Sequence, residues 1–179
     1  MEDRYSLHPS AEDITLSTLF FEGLPKTAIK SALSNIVSRS HPANQVILLE
    51  NDWGGSVYFI LEGWVKIRTY NLEGKELTLN ILGRGELFGE MAALDEVPRS
   101  TDVITLTSTQ IGSLPSQDFI KLLHTEPLAG VRLAQLMARR LRQVNRRLRL
   151  RESDSASRVA DTLLFLADGQ GIQNITGVE

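Results

Sequence analysis

The most constraining feature of this sequence is a long central stretch with the period of β-structure. Between residues 45 and 114, apolar and β-branched residues come in short runs, at 46–48, 57–60, 64–67, 77–81, 103–106 and 110–112. The breaks between them hold turn residues: Asn51-Asp52, Gly63, Glu73-Gly74, Gly83-Arg84-Gly85 and Pro98. Short strands with turn signals about every ten residues predict an antiparallel sandwich or barrel. Residues 71–74 have the composition of a hairpin loop with glycine at the left-handed position.

The segment before this stretch has helical spacing. After Pro25, a favourable residue for a first helical turn, four apolar residues recur with a period near 3.6. They are Ile29, Leu33, Ile36 and Val37. The spacing predicts an amphipathic helix over residues 26–39.

Helix is predicted again after the strands, first over residues 118–124 and then from Pro127 to about Arg151. The long helix carries an apolar seam at intervals of 4, 4, 3 and 4, formed by Leu133, Met137, Leu141, Val144 and Leu148. Such a seam is typical of a helix that packs parallel to its twin, which predicts a homodimer. The fold class is therefore α+β, with N-terminal helices, an antiparallel sandwich or barrel and a long C-terminal helix.

Charge is concentrated on this long helix. Residues 131–151 contain eight arginines and no acid, although the whole chain has a net charge of −3. A local excess of one sign favours an anionic partner or an acidic neighbouring surface, while a solvated helix face explains it equally well. Beyond a polar break at 152–155, residues 158–167 predict a helix that is apolar over most of its circumference. Such a helix needs a covering partner, either a further domain or a docked protein.

Composition excludes several classes of function. The chain has no cysteine, which removes disulfides, thiolate metal sites and iron–sulfur clusters. Its three histidines are far apart, and no catalytic triad or carboxylate pair has a meaningful spacing, so we expect neither a metal site nor an enzyme. No apolar run approaches the roughly 20 residues of a membrane span, and the N-terminus does not resemble a secretory signal. We therefore expect a cytoplasmic protein without a membrane partner.

One segment carries recognisable chemistry. Residues 85–100 read GELFGEMAALDEVPRS, a glycine turn followed by a predicted short helix over 91–94 and an arginine after a proline. Gly89 allows close approach of the backbone, and the planar fork of Arg99 suits two phosphate oxygens. Glu90 can accept a hydrogen bond from a ribose hydroxyl. We expect Arg99 and Glu90 to bind each other in the empty pocket, and a sugar phosphate in the filled one.

This segment resembles the phosphate-binding cassette of cyclic-nucleotide-binding domains, with a pattern close to F-G-E-x-A-x-x-x-x-x-P-R-S/A. Residues 46–114 resemble the eight-stranded β-roll, or double-stranded β-helix, of that superfamily. The long helix, with MARRL at 137–141, resembles the dimerisation helix of the CRP/FNR regulators. Residues 158–167 resemble the first helix of their winged helix-turn-helix domain. The stretches 41–53 and 146–154 further resemble the cyanobacterial DevH-type branch.

The resemblance implies three parts of the chain. Residues 1–126 would be the sensory domain, residues 127–152 the dimerisation helix, and residues 153–179 the start of a winged helix-turn-helix domain whose remainder is absent. The implied protein is a ligand-responsive transcription regulator that binds a cyclic nucleotide, needs no cofactor and reads DNA through the missing domain. An alternative is a stand-alone receptor that acts by binding another protein through the apolar helix at 158–167.

The resemblance also implies roles for residues of the cassette. Glu90 would bind the ribose 2′-hydroxyl, Arg99 and Ser100 the cyclic phosphate, and Gly89 and Met91 would contribute backbone contacts. Thr101 departs from the family pattern, since a small alanine is usual there and threonine can crowd the phosphate. Asp102 follows it, and strand alternation predicts that its carboxylate points away from the pocket.

The identity of the base stays open in the sequence. The family's adenine-reading Thr-Ser pair is absent from the long helix, where Asn145 and Arg146 stand instead. Asparagine suits adenine and arginine suits guanine, so cyclic di-GMP is a candidate beside cAMP. Two Arg-x-x-Asp patterns, at 151–154 and 158–161, resemble a cyclic di-GMP motif, but they are short enough to arise by chance. A carboxylate metabolite such as 2-oxoglutarate, held by Arg99, is a further alternative.

Overall fold

The computed structural model describes residues 18–150 and four pairs of residues, 159–160, 163–164, 173–174 and 177–178. The chain divides into two compact units, Met1–Gln135 and Leu136–Glu179. The first contains eight strands: β1 Val37–His41, β2 Val46–Leu48, β3 Ser56–Glu62, β4 Val65–Tyr70, β5 Glu76–Leu82, β6 Leu87–Phe88, β7 Asp102–Thr105 and β8 Thr109–Pro115. The helices are α1 Lys26–Ala32, α2 Glu90–Asp95, α3 Ser116–Thr125 and α4 Pro127–Leu150.

The eight strands form two antiparallel sheets of four, in the orders β1-β8-β3-β6 and β2-β7-β4-β5. The chain crosses from one sheet to the other at every connection except the β4–β5 hairpin. This is the predicted β-roll, and the α+β fold class is confirmed. In the second unit, β9 (Gln173–Asn174) pairs antiparallel with β10 (Gly177–Val178).

The core between the two sheets takes three buried residues from each of them. They are Ile60, Phe88 and Ile111 from the first sheet and Val65, Leu82 and Val103 from the second. Burying each such side chain is worth roughly 1.5–3 kcal/mol, so this cluster holds the sheets face to face. On the other face of the first sheet, Phe59 stacks on Phe21 with ring centroids 5.3 Å apart. Elements flanking the roll therefore cover its outer side.

The prediction of one helix over residues 26–39 is wrong in its second half. Helix α1 ends at Ala32, a 3₁₀ turn follows at Leu33–Asn35, and Val37–His41 form strand β1, paired with β8. Edge-strand hydrogen bonds outweigh the helical spacing, because Val37 and the two serines that follow are weak helix formers. Pro42 also disfavours the helical conformation at the residue before it.

The other predicted elements are found with small shifts of their ends. All six apolar runs coincide with strands, with only Trp64 and Leu106 just outside β4 and β7, while the two-residue strand β6 is not among the predictions. The hairpin prediction at residues 71–74 is confirmed: Gly74 has a φ of +75°, and the Asn71 side chain accepts hydrogen bonds from the Glu73 and Lys75 amides. The polar break at 152–155 lies outside the described residues. Of the predicted helix at 158–167, the described residues 159–160 and 163–164 are helical.

Cross-strand ion pairs tie β4 to β5. Glu76 accepts from Lys66 Nζ at 2.5 Å and from Arg68 Nη1 at 2.7 Å. The hydrogen bond from Lys66, and to a smaller extent that from Arg68, holds the pKa of Glu76 below its usual value of 4.5. A carboxyl group whose pKa is lower in the folded chain stabilises the fold when it is ionised. This contribution is present above about pH 4.5 and is lost as the pH falls through the lowered pKa.

We therefore expect Glu76→Gln to lower the free energy of unfolding at pH 7, and the difference from the wild type to shrink as the pH falls below about 4.5. Urea denaturation at a series of pH values measures this difference. Glu73→Gln is the matched control, because Glu73 makes no ion pair among residues 18–150. A difference that stays constant down to pH 3 would contradict the assignment.

Candidate ligand-binding site

The cassette segment turns sharply at Gly89. Strand β6 ends at Phe88, and Gly89 has a φ of +81° as it precedes α2. This left-handed conformation is accessible to glycine and costly for other residues. Helix α2 ends at Asp95, the next residue Glu96 is also left-handed, and the chain then extends through Pro98 and Arg99 into β7. Two left-handed residues thus fold the segment back so that Arg99 returns to the start of the cassette.

Arg99 is held inside the unit by backbone carbonyls. Its side chain is almost fully buried, at 4% exposure. Nη1 donates to the Gly89 carbonyl at 2.7 Å, and Nη2 donates to the Ser56 carbonyl at 2.8 Å. The guanidinium carbon lies 5.7 Å from the ring centre of Tyr58, which itself stacks on Phe88. These contacts orient the guanidinium without neutralising its charge.

The expected pairing of Arg99 with Glu90 is not found. Within residues 18–150 no salt bridge includes Arg99, and its Nε is buried without a hydrogen-bond partner. The reason is geometric, because the two terminal nitrogens are already directed at carbonyls from Ser56 and Gly89. A buried cation without a counter-charge is costly. An anion with an oxygen that accepts a hydrogen bond from Nε would provide Arg99 with both a counter-charge and the missing hydrogen bond.

Two glycines form the walls of the guanidinium pocket. A Cβ atom on Gly89 would lie 2.7 Å from Nη1, and a Cβ atom on Gly54 would lie 2.7 Å from Nη2. Both distances are too short for non-bonded atoms, so each glycine is required by the position of Arg99. Gly54, Ser56 and Tyr58 are parts of the site that sequence reasoning missed. The Gly54-Gly55 pair was the available signal.

The other predicted cassette residues lie on the same segment. Glu90 is buried at the first position of α2, Met91 and Ser100 are exposed, and Thr101 is half-buried. Asn145 and Arg146 lie on α4 in the second unit, so their contact with a ligand stays a prediction. Among the described residues, no cluster of three or more His, Asp or Glu side chains could hold a metal ion.

Asp102 faces away from the core side of β7. Its neighbour Val103 belongs to the core cluster, whereas Asp102 lies opposite Arg68 in the β4–β7 register. Its carboxylate accepts from Arg68 Nε at 3.1 Å and from the Glu50 amide at 2.8 Å. The carboxylate is thus occupied by partners of its own chain.

A cavity of about 450 Å³ lies along the inner face of β1, β8 and β3. Ser56 and Tyr58 line it, and both also contact Arg99. Neither Arg99 nor Glu90 is among its lining residues, so this cavity neighbours the cassette without including it.

The predicted dimer seam on helix α4 is buried at its first residue and exposed further along the helix. Leu133 is 6% exposed, so its side chain belongs to the core of its own chain. Leu141 and Val144 are 62% and 48% exposed. The backbone of Leu148 is helical, while its side chain lies outside what the structure describes. None of the helices among the described residues is long and apolar enough to cross a membrane.

Comparison with known proteins agrees with the fold. Residues 38–126 match the cyclic nucleotide-binding domain family. The Cyclic AMP receptor protein of Thermus thermophilus is 38% identical over 147 residues, which are 82% of this chain and 68% of that protein. This chain belongs to the CRP/FNR family. A Mycobacterium tuberculosis relative, a CRP-like cAMP-activated global transcriptional regulator, is 29% identical over 90% of this chain and 73% of its own length.

Two solved structures share the fold. The crystal structure of the Thermus thermophilus catabolite activator protein matches with a TM-score of 0.65 at 38% identity, over 85% of this chain and 72% of that one. The c-di-GMP-responsive regulator CLP of Xanthomonas campestris matches with a TM-score of 0.69 at 22% identity, over 86% and 78% of the two chains. At that identity, the second match speaks for the fold alone.

The close approach of Arg99 to Gly89 predicts how much stability a substitution of this glycine costs. Gly89→Ala and Gly74→Ala both force alanine into a left-handed conformation, at about 1–2 kcal/mol each. Only Gly89→Ala also displaces a guanidinium nitrogen, since nothing lies within 4 Å of a Cβ on Gly74. We expect Gly89→Ala to lower the free energy of unfolding by about 1.5–3 kcal/mol more than Gly74→Ala, the value of a hydrogen bond to a charged group. Equal losses in urea denaturation would mean that Arg99 moves aside without cost.

Proposed function

We propose that this chain is the sensory and dimerisation region of a ligand-responsive transcription regulator, and that it binds a cyclic nucleotide at Arg99. The single observation that carries the proposal is a buried guanidinium with no carboxylate partner and an unsatisfied Nε. A cyclic phosphate supplies a negative charge and oxygens that accept from a planar fork. Because the chain belongs to the CRP/FNR family, we propose that this anion is the phosphate of a cyclic nucleotide.

The remaining cassette residues fit the same ligand. Arg99 and Ser100 bind the cyclic phosphate, Glu90 accepts from the ribose 2′-hydroxyl, and the Gly89 and Met91 backbones complete the contacts. Thr101 stands at the same end of the segment and limits the space beside the phosphate. The base is read from helix α4 by Asn145 or Arg146, so these two residues govern the choice between adenine and guanine.

Three kinds of ligand are candidates for the site at Arg99. The names of the Thermus and Mycobacterium relatives point to cAMP. Cyclic di-GMP is in the name of a structural neighbour that shares only the fold. The Arg-x-x-Asp patterns at 151–154 and 158–161 lie largely outside the described residues. A 2-oxoglutarate-type metabolite would use Arg99 but would have no use for Glu90, so the two residues separate the alternatives.

The signal would pass through a dimer formed by α4. Because Leu133 is buried in its own chain, the proposed seam begins at the exposed Ala134 and continues through Met137, Leu141, Val144 and Leu148, and of these Leu141 and Val144 are also exposed. These positions repeat at intervals of 3, 4, 3 and 4, as in a coiled coil. A ligand that contacts both cassette and helix favours one arrangement of the pair. DNA binding belongs to a domain beyond residue 152; docking of another protein on the helix at 158–167 is the alternative.

Calorimetric titration with cAMP, cGMP, cyclic di-GMP and 2-oxoglutarate tests the ligand. We expect Arg99→Ala to weaken binding of any phosphate ligand about ten- to a hundredfold, since each charged hydrogen bond is worth roughly 1.5–3 kcal/mol. Glu90→Gln should weaken ribonucleotides and spare 2-oxoglutarate. Arg84→Ala, at an exposed turn, is the control and should change nothing. A nucleotide that binds Arg99→Ala as tightly as the wild type would refute the proposed site.

Sedimentation of seam variants tests the dimer. We expect Leu141→Glu and Val144→Glu to yield monomers, because each places a charge in the apolar seam. Leu133→Ala should instead lower the free energy of unfolding by about 2–5 kcal/mol, as a core truncation does. Leu72→Glu, at an exposed hairpin tip, is the control and should leave the dimer intact. A dimer that persists in both seam variants would place the interface elsewhere.

A further inference from the structure

The buried carboxylate of Asp102 lies three residues after Arg99, the residue proposed to bind the anion. Asp102 is 5% exposed, and it opens the strand into which the cassette leads. An uncompensated negative charge here would oppose an anionic ligand, since electrostatic repulsion is strong where water is excluded. The proposed function gives Asp102 no role, so its partners are the evidence for what it does.

The partners of Asp102 join two parts of the molecule. Its Oδ1 accepts from the Glu50 amide at 2.8 Å, at the start of the loop between β2 and β3. Its Oδ2 accepts from Arg68 Nε at 3.1 Å, and Arg68 continues the chain of ion pairs to Glu76 on β5. The Asp102 carboxylate therefore links the β2–β3 loop to Arg68, a cation on β4 that is also paired with Glu76 on β5.

The same loop encloses Arg99. The Asn51 amide donates to the Arg99 carbonyl, and the Arg99 amide donates to the Asp52 carbonyl, both at 2.8 Å. Further along, Gly54 lies against the guanidinium, and the Ser56 carbonyl accepts from Nη2. Residues 51–56 thus bind both the backbone and the side chain of Arg99, while Asp102 holds the residue that precedes them.

We infer that Asp102 is a positioning residue for Arg99. Through Glu50 it fixes the loop that aims the guanidinium, and Arg68 supplies the counter-charge that keeps this carboxylate from repelling the ligand. The inference rests on the proposed function, because it concerns the same anion site. It adds two residues, Asp102 and Arg68, that touch no ligand and act through the loop.

Four variants separate the hydrogen bond from Asp102 to the loop from the charge compensation by Arg68. Asp102→Ala removes the acceptor for the Glu50 amide, whereas Asp102→Asn keeps an acceptor and removes the charge. Arg68→Gln leaves the buried carboxylate without its cation, and R68Q/D102N restores neutrality. Lys66→Gln is the matched control, since Lys66 also pairs with Glu76 but makes no contact with Asp102.

Binding of cAMP measured by calorimetry is the first readout. We expect R68Q to weaken binding at least about tenfold, because an unpaired buried charge is strongly unfavourable. The double variant R68Q/D102N should return to within about threefold of the wild type, and Lys66→Gln should stay within the same range. A double variant as weak as R68Q, or an R68Q that binds like the wild type, would overturn the counter-charge role.

Amide hydrogen exchange in the ligand-free protein is the second readout, and it does not depend on which nucleotide binds. We expect Asp102→Ala to speed exchange of the Asn51 and Arg99 amides at least about tenfold, with Asp102→Asn close to the wild type. Unchanged exchange in Asp102→Ala would overturn the positioning role. Arg99→Ala distinguishes the two proposals: if it binds cAMP like the wild type, the proposed site fails, while the exchange data still judge Asp102.

Discussion

Burial of the Arg99 guanidinium against two backbone carbonyls is the constraint on which the rest of the site depends. Carbonyl dipoles satisfy the terminal nitrogens but leave the positive charge uncompensated, so the pocket retains its attraction for an anion. The close approach of these carbonyls leaves no space for a side chain at Gly54 or Gly89. A carboxylate partner would stabilise the same arginine, but it would compete with the ligand for its charge.

The β-roll makes this arrangement possible because it brings distant segments to one place. Ser56 begins β3 and Arg99 precedes β7, 43 residues later, and the two strands belong to different sheets. The shared core of apolar residues from both sheets holds these segments together. The ion pairs from Glu76 through Arg68 to Asp102 run across the outer side of the second sheet, so the same sheet that closes the core also anchors the loop around Arg99.

Local patterns predicted the strands well and the first helix poorly, for a physical reason. A run such as 57–60 is rich in β-branched and aromatic residues, has turn residues at both ends and lies buried in β3, so propensity and packing agree there. In the segment 33–41 they disagree. Its apolar spacing fits a helix, but the free edge of β8 offers backbone hydrogen bonds, and the pairing of Val37 with Ser113 decides the outcome.

The sequence by itself determined the strand-forming runs, the long helix and the cassette motif, because each depends on residues that are close together in the chain. Tertiary structure alone decided that Arg99 binds Ser56 and Gly89 instead of Glu90, and that Arg68 compensates Asp102. It also decided that Leu133 belongs to the core of its own chain while Leu141 is exposed. Contacts of this kind depend on the register of strands and the burial of one helix face, which sequence spacing does not specify.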